Sequence, residues 1–227
     1  MTTPRARKRL AIEAQILTLG REQLATVGAA ALSLRAIARE LNMVSSAVYR
    51  YVESRDELLT RLVVEAFGEL ADAVNAALCD AADGTHRRRL EVLAHAFRAW
   101  SVVHPSQYAL LYGSPVPGYD APPERTGEPG TRVMIALITI LADANAAGAF
   151  TADDDVDADL TDDFGRIRNE LDLDLSDSQF AYALCVWTWL VGAVGQEVFG
   201  GFGADTFGAP RLVFDAQLAS ILGTHLR

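Results

Sequence analysis

The sequence predicts an all-α protein, and three observations carry that reading. Half of the 227 residues are hydrophobic while only 8% are aromatic. Ala, Leu and Val dominate the apolar set, and Ala and Leu are strong helix formers. Apolar positions recur at helical spacing along most of the chain, and no run alternates in the manner of a strand. A chain of this length can bury a core in one large domain or two smaller ones. The organisation expected is a basic arm over 1–9, a small helical domain over 10–56 and a larger helical body over 57–227.

Arg5, Arg7, Lys8 and Arg9 form the arm. Ile12, Ile16, Leu24 and Val27 suit a first helix, which Gly28 terminates. Ser33 is placed to cap a second, short helix with Leu34, Ile37, Ala38 and Leu41 on its inner face. Asn42 tolerates the left-handed backbone needed to end that helix and turn the chain. A third short helix is expected over about 44–51, with Val48 and Val52 facing inward. Ser54-Arg55-Asp56-Glu57 reads as a capping box. It opens a long fourth helix with Leu58, Leu59, Leu62, Val63, Ala66, Phe67, Leu70 and Val74 at helical spacing.

Beyond Asp83-Gly84, a fifth helix places Leu90, Leu93, Phe97 and Trp100 on one stripe, and His104-Pro105 ends or kinks it. A short helix over 106–112 precedes a Pro- and Gly-rich loop over 113–129. Another helix is expected over about 131–147, a short one near 157–170, and two last helices over about 178–199 and 210–222. The apolar run Phe180–Gly195 is sixteen residues long. That is short of the ~20 needed to span a bilayer, so a buried helix is expected. No uninterrupted apolar run follows the basic start, so no secretory leader is read there.

The net charge of −10 argues at first sight against a polyanionic partner. The charge is unevenly spread. Met1 to Leu62 hold ten Lys/Arg against six Asp/Glu, leaving ten against 24 in the rest. A basic head can bind nucleic acid beside an acidic body, because charges more than a Debye length of ~8–10 Å away are largely screened.

Two short helices joined by a tight turn behind a supporting helix make a helix-turn-helix, whose second short helix fits the major groove of DNA. Ser45, Ser46, Ala47, Tyr49 and Arg50 are then its candidate contact residues. Tyr49 and Tyr51 can donate hydroxyl hydrogen bonds to phosphates, and Arg50 can neutralise a phosphate or reach a guanine edge. Ser33 and Arg35 at the start of the second helix, and Arg55 at the start of the fourth, suit phosphate contacts.

The run Leu34-Arg35-Ala36-Ile37-Ala38-Arg39-Glu40-Leu41, followed by Ala47-Val48-Tyr49-Arg50-Tyr51-Val52 and Ser54-Arg55-Asp56-Glu57-Leu58-Leu59, resembles the DNA-binding domain of the tetracycline-repressor (TetR) family. The resemblance covers roughly Leu10 to Leu62. It implies that Tyr49 is the recognition-helix tyrosine and that Arg55 replaces the family's usual phosphate-gripping Lys. Asn42 stands where Gly is usual. Val44 stands where a capping Ser is common, which allows the recognition helix to start at Ser45. His104-Pro105, Tyr108-Ala109-Leu110-Leu111-Tyr112-Gly113, Pro115-Val116-Pro117-Gly118-Tyr119 and Trp187 to Gly192 resemble the branch with WHG-type C-terminal domains. Val191 stands where that branch's eponymous His lies.

The resemblance implies a bacterial, cytoplasmic repressor that binds a double-stranded operator as a homodimer through 178–199 and 210–222, released by a small-molecule effector. The expected effector lining is Phe97, Trp100, His104, Tyr108, Tyr112, Met134 and Trp187, all of which equally suit a helical core. A regulator without such an effector is the alternative. A helical enzyme with a DNA-binding head is the rival class, but no G-x-S-x-G, Walker, H-E-x-x-H or complete Rossmann pattern is present. No cofactor and no metal are expected. Asp153, Asp154, Asp155, Asp157 and Asp159 fail the EF-hand pattern, since Ala158 replaces the turn Gly and Phe164 the closing Glu. His86 with Arg87, Arg88 and Arg89 reads as a solvated helix start. Cys79 and Cys185 match no metal or redox spacing and read as buried thiols.

Overall fold

A computed structural model of the chain describes residues 3–152, 155–203, 205–223 and 225–226. Asp153 and Asp154 of the acidic run lie outside the described residues. Ten α-helices are present among them: α1 (Pro4–Val27), α2 (Leu34–Glu40), α3 (Ser45–Val48), α4 (Arg55–Asp80), α5 (His86–Val103), α6 (Pro105–Tyr112), α7 (Pro123–Ala146), α8 (Thr161–Glu170), α9 (Asp177–Val198) and α10 (Pro210–Leu222). Short 3-10 turns over Ala29–Ala31 and Ala158–Leu160 complete the helical content. One isolated antiparallel bridge pairs Phe150 with Leu226.

The chain divides into two compact units. The first holds the residues up to Glu69 together with His104–Gly130, and the second holds Leu70–Val103 together with the residues from Thr131 on.

In the first unit, Ile16 and Leu24 of α1, Leu34, Ile37 and Ala38 of α2, Val48 and Val52, and Leu58, Leu59 and Leu62 of α4 form one buried cluster. These are largely the positions that helical spacing marks as inward. Leu110, Val116 and Tyr119 pack against this cluster from α6 and the segment after it. The Tyr119 hydroxyl shares a hydrogen bond with the buried Thr60 hydroxyl at 3.0 Å. Arg125 reaches Glu57 with its two terminal nitrogens, at 2.6 and 3.3 Å. A second polar cluster ties three helices together. Arg21 lies 3.1 Å from both Glu65 and Glu69, and Gln107 donates to Glu69 at 2.8 Å.

In the second unit, α5 buries Leu90, Leu93, Phe97 and Trp100, the stripe expected from the sequence, together with Ala94. It packs against α9 and α10. Ser176 and Gln179 close a reciprocal capping box at the start of α9, at 3.2 and 2.9 Å. Alone among the described helices, α9 has the length and apolar composition to cross a membrane. It buries Phe180, Tyr182, Ala183, Val186, Leu190 and Val194 against its neighbours, as a core helix does. Arg98 and Glu197 form a two-point ion pair that is mostly shielded from solvent.

Four expectations need correction. The basic arm is not separate from the first helix, because Pro4 opens α1 and Thr3 caps it by accepting the Ala6 N–H at 3.2 Å. Pro suits the first helical turn, where its missing N–H is not needed, and Arg and Lys extend a helix readily. Val27 is exposed where α1 runs out. The helix placed over 131–147 begins eight residues earlier at Pro123 and carries Pro129 inside it. The Pro–Gly composition of 113–129 reads as loop, but Pro122 accepts the N–H groups of Arg125 and Thr126, both at 3.0 Å, and starts the helix. Finally, Cys79 and Cys185 are both exposed, since each lies on an outward face of its helix.

Candidate nucleic-acid interface

The geometry of the first three helices is fixed by buried contacts and by caps at each end of α2. Gly28 ends α1 at φ +77, a conformation that suits only glycine. Gln23 then bridges α1 to the start of α2. Its Oε1 accepts the Ser33 N–H at 2.9 Å, and its Nε2 donates to the Ser33 carbonyl at 3.4 Å. Ser33 Oγ accepts the Ala36 N–H, so the predicted cap is present. At the other end Asn42 takes a φ of +53, and the Met43 N–H closes onto the Ala38 carbonyl at 2.8 Å. A short amide side chain tolerates that left-handed backbone better than most residues do.

Regular α-helix in α3 is shorter than the expected 44–51, but the helical path continues. Hydrogen bonds from the Arg50, Tyr51 and Val52 N–H groups to the Ala47 and Val48 carbonyls carry the turn through Val52. Its start at Ser45 agrees with Val44 being a poor side-chain cap. Val48 and Val52 are fully buried and hold this stretch against α2 and α4. Ser45, Ser46, Tyr49 and Arg50 therefore face solvent, and Tyr49 keeps 42% of its surface exposed. Ala47 and Tyr51 are half-buried.

The remaining predicted contact residues sit around this helix in the same unit. Arg35 is exposed in the first turn of α2, with Arg39 exposed one turn further along. Arg55 has a second task. Its guanidinium donates to the carbonyls of Ala29 and Ala30, at 3.0 and 3.1 Å, and pins the turn between α1 and α2. Ser54 Oγ accepts the Glu57 N–H at 3.0 Å, which supplies the serine half of the expected capping box. The Glu57 carboxylate is held by Arg125 and Arg61. The Arg125 hydrogen bond, helped by Arg61 and opposed by burial, holds this carboxyl below its ordinary range.

Cationic residues absent from the expected contact set join this surface. Arg5, Lys8 and Arg9 on α1 line an open cleft of about 580 Å³ together with Thr3, Ala6, Arg50 and Tyr51. Their charges are visible in the sequence as an arm, but their meeting with Arg50 spans some 41 residues of chain and leaves no spacing signal.

The seven expected effector residues fall in both units. In the second, Phe97 and Trp187 meet edge to face at 5.8 Å, Trp100 is buried, and Met134 is half-buried on α7. In the first, Tyr108 stacks at a tilt on Tyr112 at 5.2 Å, and Tyr112 meets Phe67 at 6.0 Å. Burial pushes the Tyr108 phenol up to about 12 and the Tyr112 phenol higher still. Both are neutral donors at any physiological pH. His104 occupies the residue before α6 without a side-chain capping bond.

Comparison with known proteins agrees with this geometry. Residues 16–62 match the bacterial regulatory proteins of the tetR family, and 90–221 match the tetracyclin repressor-like C-terminal domain. The HTH-type transcriptional regulators Rv1816 of Mycobacterium tuberculosis and Mb1846 of Mycobacterium bovis are each 48% identical over 218 residues, covering 94% of this chain and 93% of theirs. The solved structure of the regulatory protein SCO4313 is 37% identical with a TM-score of 0.78, covering 97% of this chain and 100% of that one. A tetR-family regulatory protein from Rhodococcus RHA1 shares the fold at 19% identity and a TM-score of 0.64, covering 93% of this chain and 95% of its own. Cap by cap and match by match, the chain belongs to the TetR family of transcriptional regulators.

Proposed function

We propose that this regulator is a cytoplasmic repressor, which binds a double-stranded operator as a homodimer and leaves it when a small molecule enters the helical body. The observation that carries the reading is the placement of Tyr49 and Arg50. Their side chains are exposed, while the turn that bears them is anchored by the fully buried Val48 and Val52. Contact residues need such rigid support to hold their register on base edges. The proposed DNA contacts are Ser33, Arg35, Ser45, Ser46, Ala47, Tyr49, Arg50, Tyr51 and Arg55.

Dimerisation is supported by the outward faces of the last two helices. Cys185, Thr188 and Gly192 of α9 are exposed, as are Leu212, Ala216 and Ala219 of α10. Such small and apolar residues suit close approach of a second copy about a two-fold axis, which also matches paired half-sites on DNA. Phe97, Trp100, Met134 and Trp187 in the second unit, and His104, Tyr108 and Tyr112 in the first, remain the proposed effector contacts, each set taken within its own unit.

Fluorescence anisotropy with duplexes from the DNA around the regulator's own gene tests the core of this reading. Sequence-specific, salt-sensitive binding is expected, weakened in Arg50→Ala and Tyr49→Ala while the variants stay folded. Failure to prefer any such fragment over a scrambled duplex would overturn it. A thermal-shift screen tests the effector, because a molecule that binds only the folded state raises its melting temperature.

A further inference from the structure

The recognition helix does not account for all of the positive charge gathered beside it. Arg5, Lys8 and Arg9 lie at i, i+3 and i+4 on α1 and so share one face of it. That face opens on the same cleft as Arg50 and Tyr51. Four cations thus line one concavity, and Glu13 pairs with Arg9 at 2.8 Å. Unscreened like charges gathered this closely repel one another, which a phosphate between them would relieve.

Arg9 fixes the arrangement. Its guanidinium lies 5.7 Å from the centre of the Tyr51 ring, in the geometry of a cation–π contact, and it donates to the Arg50 carbonyl at 3.5 Å. With Nε committed to Glu13, Arg9 clamps the first turns of α1 to the end of the recognition turn. Arg5 and Lys8 are thereby held beside Arg50 on structured helix, not on a loose tail. Both are exposed.

We propose that this cleft is a second DNA-contact site, which takes backbone phosphate flanking the bases that the recognition helix reads. Arg5 and Lys8 supply the charge, Arg50 is shared between the two sites, and Arg9 is a positioning residue. The inference rests on the regulator's binding DNA, but adds contacts that the helix-turn-helix alone does not provide. Its contribution is to affinity and to orientation on the duplex; phosphates carry no base identity.

The test is the salt dependence of binding to a labelled 30-base-pair duplex of random sequence, compared between the wild type and Arg5→Ala/Lys8→Ala. Each lost phosphate contact removes about 0.9 from the slope of log affinity against log salt, and roughly eightfold in affinity at 0.1 M salt. The double variant is expected to lose nearly two units of slope per protomer, about 3.6 for the dimer. Arg88→Ala, a solvated arginine on α5, should leave the slope unchanged, and melting curves confirm that each variant is folded. Arg9→Ala should weaken binding by more than one charge's worth, because it also frees Arg5 and Lys8. A wild-type slope in the folded double variant overturns the cleft and leaves the recognition helix standing. Absence of wild-type binding to any duplex overturns both.

Discussion

Replacing Arg55 by alanine separates the two tasks assigned to that side chain. Its guanidinium makes two charge-assisted hydrogen bonds, to the Ala29 and Ala30 carbonyls at 3.0 and 3.1 Å. Fully buried, bonds of this kind contribute ~1.5–3 kcal/mol each. The Arg55 side chain is 29% exposed and Ala30 faces solvent, so water can replace part of what is lost. A net destabilisation of about 1–2 kcal/mol is therefore expected. For a chain of this length that corresponds to a fall of roughly 2–8 °C in melting temperature. Five of the six tyrosines lie in the first unit and all three tryptophans in the second. Urea unfolding followed by tyrosine absorbance thus reads mainly the unit that Arg55 stabilises. Both carbonyls are reached through the single Nη2 at the far end of the longer arginine side chain, so Arg55→Lys should retain the salt slope of DNA binding while losing most of the stability. An Arg55→Ala protein within about 0.3 kcal/mol of wild type would refute the clamp, since mutational effects below that are typical of unconstrained surface sites.

Three further outcomes follow from the first unit and one from its pH response. Ile37→Ala empties a fully buried position beneath α2 and should cost about 2–5 kcal/mol in urea unfolding, with loss of DNA binding near the lowered transition. Asn42→Gly relieves the left-handed backbone at φ +53 and should raise the melting temperature, by up to about 1 kcal/mol of stability, whereas Asn42→Val should lower it. In a double-mutant cycle, Thr60→Val and Tyr119→Phe should show a coupling of about 1 kcal/mol, because either single change leaves one hydroxyl without its 3.0 Å partner. The Glu57 carboxyl is held below its ordinary 4.5 in the folded protein, chiefly by the Arg125 hydrogen bond. A depressed carboxylate contributes stability above its unfolded value and loses it as pH falls through the folded one. The stability gap between wild type and Glu57→Gln should therefore be open at pH 7 and close as pH drops below about 4.5, measured by urea midpoints.

Local signals served the fold well wherever a residue's chemistry acts on its own backbone. Ser33, Asn42 and Ser54 declare the ends of α2 and the start of α4, and each does in the structure what its side chain allows. Pro210 and Gly223 bracket α10, and its bounds were readable to the residue. At α7 Pro and Gly signal loop by composition, although Pro123 opens the helix and Pro129 sits inside it. Cys79 and Cys185 are exposed where burial is expected, because a small apolar residue carries little information about which face of a helix it occupies. The recognition turn was visible as a local motif. The cleft beside it was not, since it depends on α1 returning to the end of α3, and no periodicity encodes that meeting.

The cleft also gives the protein a built-in chemical handle. Lys8, one of its four cations, is the only lysine in the sequence. Amine-directed acylation therefore has one side-chain target, and a lysine-specific protease has one cleavage point, within the second turn of α1. A fluorophore or cross-linker attached there would report on bound nucleic acid without any engineered cysteine, and duplex DNA should shield it in proportion to occupancy.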